Sequence, residues 1–533
     1  LVLCGGTVEA TTYYVDASST AQTPDGTSWQ LAYQDLQDLL QNQTIAWQIG
    51  DEIHVAKGRY IPHASDRTVS FELISGVVMK GGYPEGGGDE NDRDPASNHT
   101  ILSGDLNDDD VDLSYYVENS YHVVHWDGET APTLDGFYIE HGYADEESGT
   151  HSKGAGIFAE EDLNIHLCFV RENWAHGVGG GLYLTCASLA TISDCEFYDN
   201  RTSQGGAAYI NSDSRVVMSG TTISANEAGR GSGLYLAGSG DTTLFSCTLF
   251  GNRTYPWLTG SHHGAGVFIA SGHVEVTNCV FDSNRAWNHG GAVYHASQGG
   301  LALLNSTFYV NSARLTEGGL GGGVYQTEDS TITNCIFWRN HDYYGFSAAS
   351  QIRVGTSTAT VTFSCIDDDS PGLPPYPFGG AENNNIDEDP DFVNPGHQRD
   401  LRLDTMYCYS PCINVGSNTA IAGVDTDRDG NPRVVHEIVD MGAYEVQDEL
   451  GFCCTEELED PPACMGDANG DKTVGPADVA LVKFYYGSTD DEALCRCDIN
   501  CNGTIDPQDV GLVKLHYGVC IEHQSPRPCY EEY

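Results

Sequence analysis

Gly180-Gly181-Leu182-Tyr183-Leu184, followed by Ala190-Thr191-Ile192-Ser193-Asp194-Cys195-Glu196-Phe197-Tyr198-Asp199-Asn200, decides the fold, because the chain repeats this phrase several times. A glycine-rich step leads into an apolar strand, and a second strand ends in asparagine. Gly156, Gly181, Gly206, Gly233, Gly266, Gly291 and Gly323 mark the first feature at separations of 25, 25, 27, 33, 25 and 32 residues. Asn173, Asn200, Asn226, Asn252, Asn284, Asn311 and Asn340 mark the second at 27, 26, 26, 32, 27 and 29. The runs between markers, such as Val274-Glu275-Val276, are too short for amphipathic helices. A period in the twenties built from β-rich runs predicts a solenoid whose coils each add strands to parallel sheets.

Coils of such a solenoid stack about 4.8 Å apart, so equivalent positions form ladders. The residue five before each asparagine is Cys168, Cys195, Thr221, Cys247, Cys279, Ser306 or Cys335. Small side chains of one size are expected to stack inward there, not to form disulfides or ligate metal. The asparagines are expected to hydrogen-bond backbone at a turn and to tolerate left-handed conformation, and the glycines to let the chain bend where coils crowd.

The wording Phe197-x-x-Asn200, Phe281-x-x-Asn284, Phe308-x-x-Asn311 and Phe337-x-x-Asn340, alternating with Gly-Gly-Ala near Gly205 and Gly290, resembles the repeats of polymorphic outer-membrane proteins. That resemblance implies a surface adhesin. Tyr13-Tyr14-Val15-Asp16-Ala17, Gly26-Thr27-Ser28-Trp29, a helical pattern from Leu31 to Leu40, and Gly50 through Tyr60 are similar to the opening of secreted right-handed β-helix proteins. The resemblance implies that this helix caps the open end. Asp425-Thr426-Asp427-Arg428-Asp429-Gly430-Asn431-Pro432-Arg433 and Asp440 through Glu445 are similar to the closing segment of that family, which puts the end of the body near Val446.

The C-terminal stretch has a different grammar. Asp467, Asn469, Asp471 and Asp478 place side-chain oxygens at positions one, three, five and twelve of a loop, with the Thr473 carbonyl at seven. Asp498, Asn500, Asn502, Thr504 and Asp509 repeat that spacing 31 residues later. Such loops wrap a hard cation that takes six to eight oxygens, so two calcium ions are expected. Each loop runs into a matched helix, Pro476 to Tyr486-Gly487 and Pro507 to Tyr517-Gly518, with glycine at the C-cap. This duplicated loop-plus-helix resembles a type I dockerin. The resemblance implies a protein partner, either a cohesin-like module or another copy of the chain. Lys472 stands where the loop's turn normally has glycine, and Pro476-Ala477 and Pro507-Gln508 stand where many dockerins carry their cohesin-contacting pairs.

The expected fold is therefore mainly β. Residues 1–62 form an N-terminal strand and capping segment, 63–446 a right-handed parallel β-helix, 447–463 a linker, and 464–533 a small α-helical dockerin-like calcium-binding domain. Residues 1–10 read either as a signal-peptide remnant or as an ordered first strand. Lys plus Arg number 24 against 77 Asp plus Glu, a net charge of −53, which disfavours nucleic acid and anionic membranes as partners. Eight of the 18 cysteines fall in the last 81 residues, as expected of disulfides in an oxidising, extracellular compartment. Sequons at Asn42, Asn98, Asn200, Asn252, Asn305 and Asn502 are compatible with glycosylation.

Two functions are open at this point. One is a secreted structural or adhesive surface protein docked through calcium, including assembly into a fibre. The other is a dockerin-bearing polysaccharide lyase or glycoside hydrolase acting on an extracellular polysaccharide. Chemistry would need a carboxylate pair, or a base beside a calcium-neutralised uronate. Arg201, Arg253 and Arg285 recur beside the asparagines and read as structural; Asp194, Asp199 and Asp282 read as turn residues. His262, His263 and His289 read as solvated loop histidines. The cluster Asp105, Asp108, Asp109 and Asp110 reads as a solvated loop, and Asp425, Asp427 and Asp429 as a closing turn. No catalytic residue is expected.

Overall fold

The computed structural model describes residues 10–110, 116–256, 261–296, 299–313, 318–355, 357–368, 378, 380–396, 399–405, 410–447, 473–474, 476–485 and 518–519. Three long sheets wind around one core. Sheet A has twelve strands, from Thr12–Val15 to Ala359–Thr362; sheet B has eleven, from Gly58–Tyr60 to Cys365–Ile366; sheet C has ten, from Phe71–Glu72 to Ile352–Val354. Neighbours are parallel and come from successive coils, so equivalent residues align, as in Ile165, Ile192 and Met218. The expected parallel solenoid is what forms.

Alternation puts one column of each sheet inside. Sheet A buries Ile165, Ile192, Met218, Leu244, Val276, Leu303 and Ile332, and sheet B buries Val170, Phe197, Ile223, Leu249, Phe281, Phe308 and Phe337. Phe281, Phe308 and Phe337 stack at 4.6 and 4.4 Å, which fills the column without voids.

The corners depend on single left-handed residues. Asp194, Ser246, Asn278, Asn305 and Asn334 have φ between 44 and 55° at the corner from sheet A to sheet B. Glu172, Asp199, Ala225, Ser283, Val310 and Arg339, at φ between 52 and 56°, turn the chain away from sheet B. The ladder asparagines follow these residues and are not themselves left-handed, which corrects one expectation. Their role is hydrogen bonding. Asn200 Nδ2 donates to Val170 O at 2.8 Å and to Asn226 Oδ1 at 3.1 Å, while its backbone N–H donates to that same oxygen at 3.0 Å. The pattern runs from Asn173 to Asn340, where Gln351 Oε1 takes the last two donors at 3.1 and 2.7 Å. This buried ladder satisfies the backbone groups that the tight corner would otherwise strand.

The ladder five residues earlier is buried as expected, and Cys168, Cys195, Cys247, Cys279 and Cys335 are free thiols. It is also polar. Each of Cys195, Thr221, Cys247, Cys279, Ser306 and Cys335 donates to the carbonyl two residues back. The side chain in the next coil often accepts a backbone N–H, as Ser306 Oγ does from Cys279 at 3.1 Å. Only a small group that both donates and accepts fits that position. Burial pushes the thiols of Cys168 and Cys335 up to about 12, so they stay neutral.

At the start, the helix covers Leu36–Leu40 rather than Leu31 to Leu40. A 3-10 turn occupies Trp29–Leu31, and the Asp35 carboxylate caps the helix by accepting from the Gln37 N–H. Leu36 and Leu39 are fully buried in the main core.

The closing segment does more than end the stack. The described residues of 392–446 return along the outside of sheet B. Arg428 reaches Thr248, Arg399 pairs with Asp282 at 2.7 Å, and the Ala443 N–H meets Thr307 Oγ1 at 3.1 Å. A second core forms between them from Val280, Tyr309 and Ile336 of the sheet and Phe392, Leu401, Leu403, Ile413 and Met441 of the segment. Arg433 is 1% exposed and donates to the carbonyls of Asp440 and Gly442.

Candidate functional site

The outer faces of the coils show what surface is left for function. On sheet C the outward column is Phe158, Tyr183, Tyr209, Tyr235, Phe268, Tyr294 and Tyr325, stacked at 4.8 to 5.7 Å with planes within 18° of parallel. Each inner ring has both faces against its neighbours, so ring edges are what a ligand could meet. His263 and His289 extend the stacking, 4.9 Å from each other and 4.4 and 4.8 Å from Tyr294 and Tyr325. His263 Nδ1 accepts the His289 N–H and His289 Nδ1 accepts the Leu320 N–H, both at 3.1 Å. Burial drives His263 down to about 3 and lowers His289 as well. These histidines are neutral structural acceptors, not the solvated loop residues expected.

Sheet B is different at its two ends. The returning segment covers the half that carries Val280, Tyr309 and Ile336, and leaves the other half with charged side chains. In register there, Arg171 donates from Nε to Glu140 Oε2 and from Nη1 to Tyr198 Oη, each at 2.7 Å. At the adjoining corner His141 Nε2 lies 2.8 Å from Glu172 Oε2, and both residues are left-handed. Burial opposes protonation of His141, but the Glu172 hydrogen bond and the charges of Glu140, Glu172 and Asp110 outweigh it and raise its pKa. The His141 hydrogen bond holds Glu172 below the usual carboxylate range. Burial raises Tyr198 despite Arg171, so its phenol keeps its proton. The groups are mutually satisfied, and neither Arg171 nor Tyr198 is a ready base at neutral pH.

Sequence reasoning missed this cluster. Its signal is the position two before each turn asparagine, which reads Arg171, Tyr198, Ser224, Phe250, Asp282, Tyr309 and Trp338, polar at one end and largely aromatic where the segment returns. Arg201 and Arg253 flank Glu227 in register, and Arg285 bridges onward from Arg253, a repeated structural column as expected. Asp194 and Asp199 do sit at left-handed corners. Asp282 does not; it ends the strand Val280–Asp282 and is held by Arg399. Asp427 accepts the N–H groups of Asp429, Asn431 and Glu445, which makes the segment a hydrogen-bonded closing turn.

Of the ten expected calcium ligands, Asp467, Asn469, Asp471, Asp498, Asn500, Asn502, Thr504 and Asp509 lie outside the described residues. Thr473 belongs to the strand Thr473–Val474, which pairs antiparallel with Gly518–Val519. Asp478 lies in the helix Pro476–Phe484, where the expected helix was placed, with Val479 and Val482 buried. Among the described residues no helix is long and apolar enough to cross a membrane.

Residues 123–337 match the family model of the right-handed β-helix region, and residues 465–516 match the dockerin type I domain. The chain thus carries a right-handed parallel β-helix followed by a dockerin type I domain, a kind of domain that binds calcium. No curated protein matches it significantly. Among solved structures it is similar to the pectate lyase Pel9A, at 13% identity and a TM-score of 0.46 over 82% of this chain and 97% of that one. It is also similar to a rhamnogalacturonan lyase, at 15% identity and a TM-score of 0.44 over 78% of this chain and 98% of that one.

Proposed function

We propose that the protein is an extracellular structural or adhesive surface protein, in which the dockerin type I domain ties a stiff β-helix to a neighbour or scaffold in a calcium-dependent way. Two ions are held, one by Asp467, Asn469, Asp471, Thr473 and Asp478, the other by Asp498, Asn500, Asn502, Thr504 and Asp509. The partner is a cohesin-type module or a second copy of the chain, whose repetition would build a fibre. The dockerin match at 465–516, lying on two complete oxygen-rich loops, is the observation that supports docking. The body supports a presenting rather than a reacting role, because its side-chain ladders run in register coil after coil. The test is surface plasmon resonance of the full chain over immobilised type I cohesin modules and over itself. Chelating calcium, or combining Asp467→Ala with Asp498→Ala, is expected to weaken capture by at least roughly 100-fold, since a domain organised around its ions loses its contact surface without them. Capture unchanged in chelator would refute calcium-dependent docking.

A second reading, a polysaccharide lyase or glycoside hydrolase, is favoured by one feature: the Glu140–Arg171–Tyr198 cluster on the uncovered half of sheet B. Incubation with a panel of uronate and neutral polysaccharides is expected to release no reducing ends or unsaturated products. Turnover that Arg171→Ala abolishes would establish the enzyme instead.

A further inference from the structure

The loop after the sheet B strand Thr100–Ser103 gathers acidic groups far from the C-terminal domain in sequence. One carboxylate oxygen each from Asp105, Asp109, Asp110 and Glu118 lies within 4.8 Å of the other three. That is the widest separation two oxygens can have across an ion that both contact at about 2.4 Å, within the calcium–oxygen range. Only part of the loop is solvated, as at Asp108, whose side chain is 82% exposed. Asp105 is 4% exposed, and the Asp110 side chain is 2% exposed.

The hydrogen bonding is incomplete in one sense only. Asp109 Oδ1, Asp110 Oδ1 and Glu118 Oε1 are shielded from solvent and accept no hydrogen bond from the described residues. Asn119, fully buried, adds a neutral oxygen to the same state. Its Nδ2 donates to Asp110 Oδ2 and to the His141 carbonyl, both at 2.7 Å, which fixes the orientation of the amide and leaves Oδ1 without a donor. All four orphans are acceptors. A set of shielded acceptor atoms on partly buried side chains, lacking donors among the described residues, suits a cation.

The neighbouring cations fall short of that need. Arg59 reaches Asp105 Oδ2 at 3.3 Å and Asp108 Oδ1 at 3.7 Å. His141 Nδ1 is 3.9 Å from Asp110 Oδ2, but its other nitrogen is paired with Glu172. Among the described residues, one guanidinium and the far edge of one imidazole therefore face four converging carboxylates. Burial and the neighbouring carboxylates raise Asp110 and Glu118, as expected where like charges converge without an ion.

We propose that Asp105, Asp109, Asp110 and Glu118, with Asn119 Oδ1, bind a calcium ion in the β-helix body, separate from the dockerin loops. The donor set is all hard oxygen and irregular, which suits calcium better than a soft metal or an ion that demands strict octahedral geometry. The ion ties the loop after the strand Thr100–Ser103 to the turn Tyr116–Glu118, beside the His141–Glu172 corner. This site does not depend on the docking proposal.

The test uses the full chain with Asp467→Ala and Asp498→Ala, so that the dockerin loops contribute little. Equilibrium dialysis with elemental analysis is expected to show one calcium per chain retained; none retained overturns the proposal. Adding Asp110→Asn and Glu118→Gln to that background is expected to remove the remaining equivalent, and its persistence overturns the proposal. A probe that spares every ligand guards against misfolding of the second variant. Terbium emission excited through tyrosine should fall on Tyr116→Phe in the same background, and emission unchanged by that substitution overturns the proposal as well.

Discussion

Asn226→Leu is expected to destabilise the β-helix by about 3–5 kcal/mol, although leucine matches asparagine in branching and heavy-atom count and the site is fully buried. Asn226 Nδ2 donates to Phe197 O, Ser224 O and Asn252 Oδ1 at 2.9, 2.9 and 3.0 Å. Its Oδ1 accepts from the Asn200 backbone and side chain at 3.0 and 3.1 Å. Leucine removes all five bonds and leaves buried partners in the coils on either side with nothing to pair. Each unpaired buried group costs about 1–3 kcal/mol, and neighbours in a ladder reinforce one another. Urea unfolding followed by circular dichroism measures the loss. A lower denaturant slope would accompany it, because a solenoid broken in the middle can unfold on one side first. A loss under about 1 kcal/mol would mean that the corners hold without the ladder.

Arg433→Ala should cost a similar amount, about 3–5 kcal/mol, but in a different place. Arg433, Asp427 and Asp440 are each 1% exposed, so removing the guanidinium takes away two buried hydrogen bonds to carbonyls and the positive charge beside Glu445, Asp440 and Asp427 in the interior of the returning segment. Burial lifts Glu445 from 4.5 to about 8. The expected result is release of residues 392–446 from sheet B while the three-sheet core persists. Val280, Tyr309, Ile336, Phe392 and Leu401 would then be exposed together, and a hydrophobic dye and limited proteolysis would report it. The same cluster makes stability depend on pH. Folded Glu445 keeps its proton up to about pH 8 whereas an unfolded glutamate releases it near 4.5, so its contribution to stability falls as pH rises through that interval. Glu445→Gln should flatten that decline; an unaltered profile would place the raised carboxylate elsewhere.

Several features were legible before any coordinates because they are periodic. The asparagine column, the small residues five positions earlier and the inward phenylalanines each recur with the coil, so a register error would have broken all three at once. Other features were legible in kind but not in detail. The buried thiol ladder was foreseen as packing, yet its side chains also donate to the carbonyl two residues back. The left-handed residue proved to be the one before each asparagine, since Val310 and Glu172 carry no compositional mark of a positive φ.

By itself the sequence determined the architecture and the presence of two oxygen-rich loops near the C-terminus, because both are written as local repeats whose spacing has one simple geometric reading. Only the tertiary structure decided which surfaces remain open and which charges converge. The return of the described residues of 392–446 covers one half of sheet B, with Glu140, Arg171 and Tyr198 on the other. Glu118 and Asn119 meet Asp105, Asp109 and Asp110 by the same kind of folding. Such meetings join side chains from different coils or from segments with no shared period, so they depend on where the chain travels and not on any spacing along it.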